Sequence, residues 1–299
     1  RAPRRGGRRR AAGRGATSTG EKIHVCLCSD DADLRPAAAA IGSASSSAAE
    51  PDRLVFHFVT TEDLAGRAGQ LFKEHLRGVR VEVHHDAALQ SQIATMITFR
   101  KTSKARRVLS SPFNFAPFYL DRYVEQKSPL ALRPKRLIYI DTDTLLLGDL
   151  AELHDMDLKG HPCAAVQYCL QHWSDYIDFD VLKGELGFDK FDPEQCIANR
   201  GVLVIDVPTW RRENITGNIE FWMDRYRNAQ GDLWYGGMSQ PPWLLAMNGN
   251  FLVLGDEWNC FGLGRDKMSI GESVALRRSG FDHKALRLLG ASYGSQRSR

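Results

Sequence analysis

The stretch from Ile23 to Cys28 alternates apolar and small residues and then breaks at Ser29-Asp30-Asp31. That pattern predicts a buried strand ending in a turn. Leu34 to Ser47 is alanine-rich and predicts a helix, with a serine cluster weakening its far end. Leu54-Val55-Phe56-His57-Phe58-Val59 reads as a second buried strand, and Thr60-Thr61-Glu62-Asp63 as a helix start. The helix runs from Leu64 to Leu76, and Val79 to Val83 forms a third strand. Strands and helices alternate at the spacing of strand–helix–strand units. A largely parallel α/β sheet with right-handed crossovers is expected.

Beyond residue 110 the pattern changes character. Phe113 to Val124 predicts an aromatic helix whose stripe (Phe115, Phe118, Tyr119, Tyr123) belongs in the core. Arg136 to Ile140 is a strand that runs abruptly into Asp141-Thr142-Asp143. Leu150 to Met156 reads as a short helix and Pro162 to Tyr168 as a strand. Gly201 to Val207 is a further strand ending at Pro208, followed by a helix containing Trp210. Leu252-Val253-Leu254 closes the series. No internal repeat or linker interrupts 21–264, so the chain reads as one domain.

Composition adds a boundary. The 299 residues are 43% hydrophobic and 25% charged, ordinary for a globular protein. The net charge is +4, yet residues 1–20 alone carry seven arginines and no acid. The remainder is therefore −3, and nothing in it argues for a nucleic-acid partner. The Arg/Gly/Ala-rich segment 1–20 lacks apolar residues to bury and is expected to be disordered. No run of about 18 apolar residues is present, so only an anchor upstream of Arg1 would join the chain to a membrane. The six cysteines show no Cys-x-x-Cys pairing, which argues against a zinc site built on them. Most are expected to be buried, with room for one or two disulfides. Asn214-Ile215-Thr216 is a glycosylation sequon.

The chemistry concentrates at Asp141 and Asp143. Residues two apart on an extended chain face the same way, so both carboxylates can converge on one ligand. Open α/β sheets bind ligands beyond the carboxyl ends of their strands. Two hard oxygen donors there suit a divalent cation held to a phosphate. Asp also follows strands as a turn former or helix cap. Two chemistries compete for a true metal pair: nucleotide-sugar transfer, and phosphoryl transfer of the haloacid-dehalogenase type. The second usually ends Asp-x-Asp-x-Thr/Val, whereas Leu145 stands here, and no later Gly-Asp-x-x-x-Asp appears.

Further pieces carry a resemblance. They are Ile23–Asp31, Asn114-Phe115-Ala116-Pro117-Phe118-Tyr119-Leu120, the Asp141–Asp143 strand with Gly148-Asp149-Leu150, and Phe191-Asp192-Pro193 leading to Asn199-Arg200-Gly201-Val202. Trp210–Gly217, Gln240-Pro241-Pro242 and Trp258-Asn259-Cys260-Phe261-Gly262-Leu263-Gly264 complete the set. In this order the chain resembles glycosyltransferase family 8 over about 22–264, and especially its plant galacturonosyltransferase-like branch.

The resemblance implies a single GT-A domain over 21–299 with a mostly parallel or mixed sheet. It implies retaining transfer from a UDP-sugar to a carbohydrate acceptor, with Mn²⁺ or Mg²⁺. By position, Asp141 and Asp143 would bind the metal, with Asp141 also near the ribose. The backbone at Cys28 and the side chain of Asp30 would meet the uracil. Asn199 and Gly201 match a loop approaching the donor, and Gln167 and Gln240 lie where polar groups hold the reacting sugar. For a eukaryote it implies the Golgi lumen and cell-wall polysaccharide.

The departures are specific. Pro117 stands where the family's Asn-x-Ala-Arg motif has arginine, and Arg200 replaces a small residue before Gly201. The family's C-terminal His-x-x-Gly-x-x-Lys-Pro-Trp, source of a third metal ligand and a diphosphate-binding lysine, has no match after Gly264. His283, in Phe281-Asp282-His283-Lys284, is the candidate third ligand in a divergent segment 264–299. A catalytically impaired sugar-nucleotide or glycan binder is the alternative this leaves open. Among other groups, His84-His85-Asp86 reads as a loop feature, and Tyr235 and Trp243 are candidates for sugar stacking. Gly236-Gly237 would supply a flexible loop or a turn.

Overall fold

The computed structural model describes residues 20–100, 107–125, 133–187, 190–234 and 239–260, with 270, 271 and 274. One seven-stranded mixed sheet organises them, in the order β3-β2-β1-β4-β6-β5-β7. The strands are β1 (Ile23–Cys28), β2 (Leu54–Val59), β3 (Val81–His84), β4 (Arg136–Ile140), β5 (Cys163–His172), β6 (Cys196–Asp206) and β7 (Leu252–Leu254). Strands β3, β2, β1 and β4 run parallel, as the alternation predicts. β6 is antiparallel to both of its neighbours, β4 and β5.

Both sheet faces are covered, which is why β2 is buried at every position. One face packs Val25, Leu27, Phe56, Phe58, Ile138 and Ile140 against α1 (Arg35–Ser47) and α2 (Glu62–His75). The other packs Cys26, Cys28, Leu137, Tyr139 and Leu203 against the aromatic segment and the later helices.

The expected helix over 113–124 is instead two 3₁₀ turns, Pro112–Asn114 and Ala116–Tyr119, followed by α4 (Leu120–Glu125). Pro117 lies inside it and has no N–H for a helical ladder. Its aromatics are nonetheless core: Phe115, Phe118, Tyr119 and Tyr123 are all buried. β6 begins at Cys196 rather than Gly201 because its first residues, Cys196 to Asn199, already pair with β5 across an irregular register. Helices α3 (Ala87–Met96), α6 (Phe179–Leu186), α8 (Ile215–Asn228) and α9 (Gln240–Met247) join the expected α5 (Leu150–His154) and α7 (Val207–Arg212). Asp86 and Asp178 cap α3 and α6 by accepting from Leu89 N and Val181 N.

Two expectations are corrected. His84 is not a loop residue but the buried end of β3, while His85 beside it is exposed and Asp86 is a helix cap. Trp243 is fully buried in α9 and offers no face to a sugar. Three cysteines, Cys26, Cys28 and Cys163, are buried, and Cys169 and Cys196 form a disulfide between β5 and β6. Asn214 of the sequon is exposed at the start of α8. Segment 1–19, Tyr235-Gly236-Gly237 and His283 lie outside the described residues. Among the described residues no helix is long and apolar enough to cross a membrane.

Candidate functional site

The strand order reverses between β1 and β4: β1 is followed by β2 on one side, while β4 takes the other. A crevice at such a switch point is where open α/β sheets hold ligands. The parallel register Cys26↔Tyr139 brings Cys28, the last residue of β1, level with Asp141 beyond β4. Asp30 follows two residues later, exposed, and accepts a 2.6 Å hydrogen bond from Ser111 Oγ.

Asp141 is held on several sides. Its backbone N–H donates to the Gly201 carbonyl at 2.8 Å, continuing the β4–β6 ladder by one residue. Tyr139 Oη donates to its Oδ1 at 2.6 Å. A Cβ on Gly201 would stand 3.1 Å from its Oδ2 and 2.9 Å from the Asn259 amide, so glycine permits the approach. Burial pushes the Asp141 carboxyl above its ordinary range. The Tyr139 hydrogen bond opposes that shift, Asp143 adds to it and Arg200 opposes it. Asp143 itself is exposed.

The loop carrying the carboxylates is tied to α1 by the serines expected to weaken that helix. Leu146 N donates to Ser43 Oγ at 3.0 Å, and Ser47 Oγ donates to Leu146 O at 2.9 Å. Asp149 caps α5 through Ala151 N and accepts from Ala49 N. Trp258 lies against Gly148, 3.6 Å from where a Cβ would stand.

Across β6, Gln167 of β5 pairs opposite Ala198, and the Ala198 carbonyl accepts from Gln240 Nε2 at 2.5 Å. Asn199 Oδ1 accepts from Gly201 N at 3.1 Å. Arg200 then fills the space between these groups. Its Nε donates to Gln240 Oε1 and its Nη2 to Ser239 Oγ, both at 2.7 Å. Its guanidinium lies 5.1 Å from the Phe118 ring centroid, next to Pro117. Burial lowers the Arg200 pKa, opposed by the charges of Asp141 and Tyr139.

Cys28, Asp141, Asn199 and Gly201 thus converge at one end of the sheet, with Gln167 and Gln240 reaching the same strand β6. Tyr139, Arg200, Ser43, Ser47 and Asn259 were not among the expected site residues. Tyr139 carried a signal in its spacing of two from Asp141, which puts both on one face, and Arg200 and Asn259 stood in pieces that carry the resemblance.

The sequence description of glycosyl transferase family 8 matches residues 24–276. The chain belongs to this family. Its fold is that of GT-A glycosyltransferases. Among its relatives, Probable galacturonosyltransferase-like 3 of Arabidopsis thaliana is 29% identical over 248 residues, 82% of this chain and 67% of the relative. Hexosyltransferase GAUT11 of the same plant is 27% identical over 264 residues. The chain spans 48% of that relative's length and 64% of galacturonosyltransferase-like 10. The galactosyltransferase LgtC, solved with donor and acceptor sugar analogues, superposes with a TM-score of 0.55 at 19% identity. That alignment covers 79% of this chain and 74% of LgtC. Mouse xyloside xylosyltransferase 1 gives 0.53 at 18% identity, over 80% and 87% of the two chains. Family membership decides between the two chemistries left open by Asp141 and Asp143 in favour of sugar transfer.

Proposed function

We propose that this family 8 protein transfers a hexosyl or hexuronosyl group from a UDP-linked donor to a carbohydrate acceptor, retaining the anomeric configuration. The observation that carries the reading is Asp141, locked between Tyr139 and Gly201 at the switch point of the sheet. Two carboxylates, one half-buried and one exposed, form a hard oxygen donor set suited to Mn²⁺ or Mg²⁺. Asp141 and Asp143 would hold that ion, with His283 as the candidate third ligand. When bound, the cation supplies positive charge to a departing diphosphate.

The remaining roles follow the placement of the chain's own groups. The Cys28 backbone and Asp30 receive the uracil, with the Ser111 hydroxyl orienting the Asp30 carboxylate. Asn199 and Gly201 approach the donor. Gln167 and Gln240 hold the donor sugar on either side of Ala198 while the acceptor attacks from the leaving-group face. Arg200 places a cation over the ring of Phe118, the residue that follows the position where the family resemblance expects arginine. The Cys169–Cys196 disulfide supports an oxidising compartment, in line with a Golgi-lumen enzyme of cell-wall polysaccharide.

A second reading, a sugar-nucleotide binder without turnover, is favoured by one feature. Both ends of the Gln240 amide are engaged, by Arg200 and by the Ala198 carbonyl. Calorimetry with UDP, with and without Mn²⁺, separates the cases together with a panel of UDP-hexoses and UDP-uronic acids. Mn²⁺-dependent UDP binding with donor turnover supports the transferase. Binding without hydrolysis or transfer supports the binder. Hydrolysis of a generic phosphate ester without UDP affinity overturns both.

A further inference from the structure

Across the parallel half-sheet, from β1 to the edge strand β3, three strands place imidazoles in a line. The register pairs His57 with Glu82 and Val59 with His84, so His57 of β2 faces both polar residues of β3. His57 Nδ1 lies 2.9 Å from His84 Nε2 and 3.6 Å from Glu82 Oε2. The ligating atoms of these three residues all fall within 4.8 Å of one another, and no other such group exists among the described residues.

We infer that His57, Glu82 and His84 form a divalent-metal site for zinc or a similar borderline transition metal, separate from Asp141 and Asp143. Two imidazoles and one carboxylate suit such ions, whereas Mg²⁺ prefers oxygen alone. In a tetrahedral zinc site, bonds of about 2.0–2.1 Å set neighbouring ligand atoms about 3.3 Å apart. The observed 2.9 Å and 3.6 Å bracket that spacing, and the third edge, between His84 and Glu82, lies within 4.8 Å, so side-chain adjustment alone brings the three donors to one ion.

The surroundings orient the donors as outer partners of metal ligands do. Arg80 Nε and Nη2 donate to Glu82 Oε1 at 3.0 and 2.6 Å, leaving Oε2 toward His57. His57 Nε2 lies 2.8 Å from His24 Nδ1, so a metal on Nδ1 leaves the second nitrogen to donate to His24. The imidazoles are enclosed, His57 at 2% exposure and His84 at 1%, but the Glu82 side chain remains 33% exposed. β3 is an edge strand, and this opening gives an ion its way in and a place for one water. The bound ion would staple β3 to β2 independently of sugar transfer.

The test uses the untagged full chain, stripped with chelator and titrated with Co²⁺ in excess Mg²⁺ to occupy any all-oxygen site. The expected result is one equivalent of Co²⁺ with a visible tetrahedral absorption band, displaced by Zn²⁺ with a rise in Tm. Glu82→Gln, on the exposed side, should weaken Co²⁺ at least tenfold and leave the unliganded fold and UDP binding unchanged. His84→Asn should abolish the band. Asp143→Asn should leave it intact. Absence of the band, or a band insensitive to Glu82→Gln and lost in Asp143→Asn, overturns the site and leaves a neutral imidazole ladder.

Discussion

The Tyr139 hydroxyl donates to Asp141 Oδ1 at 2.6 Å, from the strand that delivers Asp141 to the end of the sheet. The second oxygen is pressed toward Gly201, and the backbone N–H is paired with the Gly201 carbonyl. The half-buried carboxylate therefore has one rotamer and one edge to present. A solvated turn aspartate would need none of these supports.

Tyr139→Phe should isolate this contact. The hydrogen bond favours the ionised carboxylate, so its loss lets burial push the Asp141 carboxyl further up. A hydrogen bond to a charged group contributes about 1.5–3 kcal/mol. Mn²⁺-supported UDP affinity should fall about tenfold or more, alongside a modest fall in Tm. Calorimetry on both proteins checks it, and unchanged affinity would show that Tyr139 does not position Asp141.

Gly201→Ala probes the opposite side of the same carboxylate. The added Cβ would meet the Asn259 amide at 2.9 Å and Asp141 Oδ2 at 3.1 Å. Overpacking of this kind costs about 1–3 kcal/mol. Because the displaced atoms are the proposed ligand and its neighbour, donor turnover should fall by more than the change in stability explains. Paired denaturant melts and turnover assays measure both quantities.

Much of this was legible in the sequence where one strand carries both the apolar signal and the chemistry. β1, β2 and β4 announce themselves because both of their faces are buried, and Asp141 and Asp143 stand where β4 runs out. β6 was only half legible, since Asn199-Arg200-Gly201 interrupts its apolar run while its backbone goes on pairing with β5. The serines of α1 read as helix weakeners because their partner, Leu146, is about a hundred residues away. His24, His57 and His84 meet only through strand register, which no local pattern encodes.

The cysteines give a chemical check on the fold. Burial pushes the thiols of Cys26, Cys28 and Cys163 well above their ordinary range, so they should resist alkylation in the native state. Cys260 is half-buried and should react. Denaturation without reductant should expose four thiols and reduction all six, with one peptide pair joined through Cys169 and Cys196. Mass spectrometry after differential labelling reads each class, and early alkylation of Cys28 would contradict its place under the site.

Ser43→Ala and Ser47→Ala should loosen the carboxylate loop from α1. Leu146 is 5% exposed, and its N–H and C=O rely on these two hydroxyls. Each lost partner costs about 1–3 kcal/mol for a buried backbone group. The double variant should lower Tm and weaken metal-supported UDP binding, because Asp143 lies three residues before Leu146. A drop in Tm with unaltered metal dependence would mean the tether serves the fold alone.

Arg200 decides how the site is wired. Its guanidinium donates to Gln240 and Ser239, lies beside the Phe118 ring and sits in the field of Asp141. Arg200→Ala leaves Gln240 Oε1 and Ser239 Oγ without that donor and removes the cation beside a half-buried carboxylate. Leaving buried hydrogen-bond partners unsatisfied in this way costs about 1–3 kcal/mol for each group. Lysine should not restore it, since a point ammonium cannot span two acceptors as a planar fork does. If the cation serves the diphosphate, both variants should lose donor affinity by at least tenfold, and the salt dependence of UDP binding should flatten. If Arg200 instead keeps Gln240 from the donor sugar, Arg200→Ala should gain turnover despite its lower Tm. Measuring affinity, turnover and Tm on the same preparations distinguishes a substrate-binding arginine from one that holds the site closed.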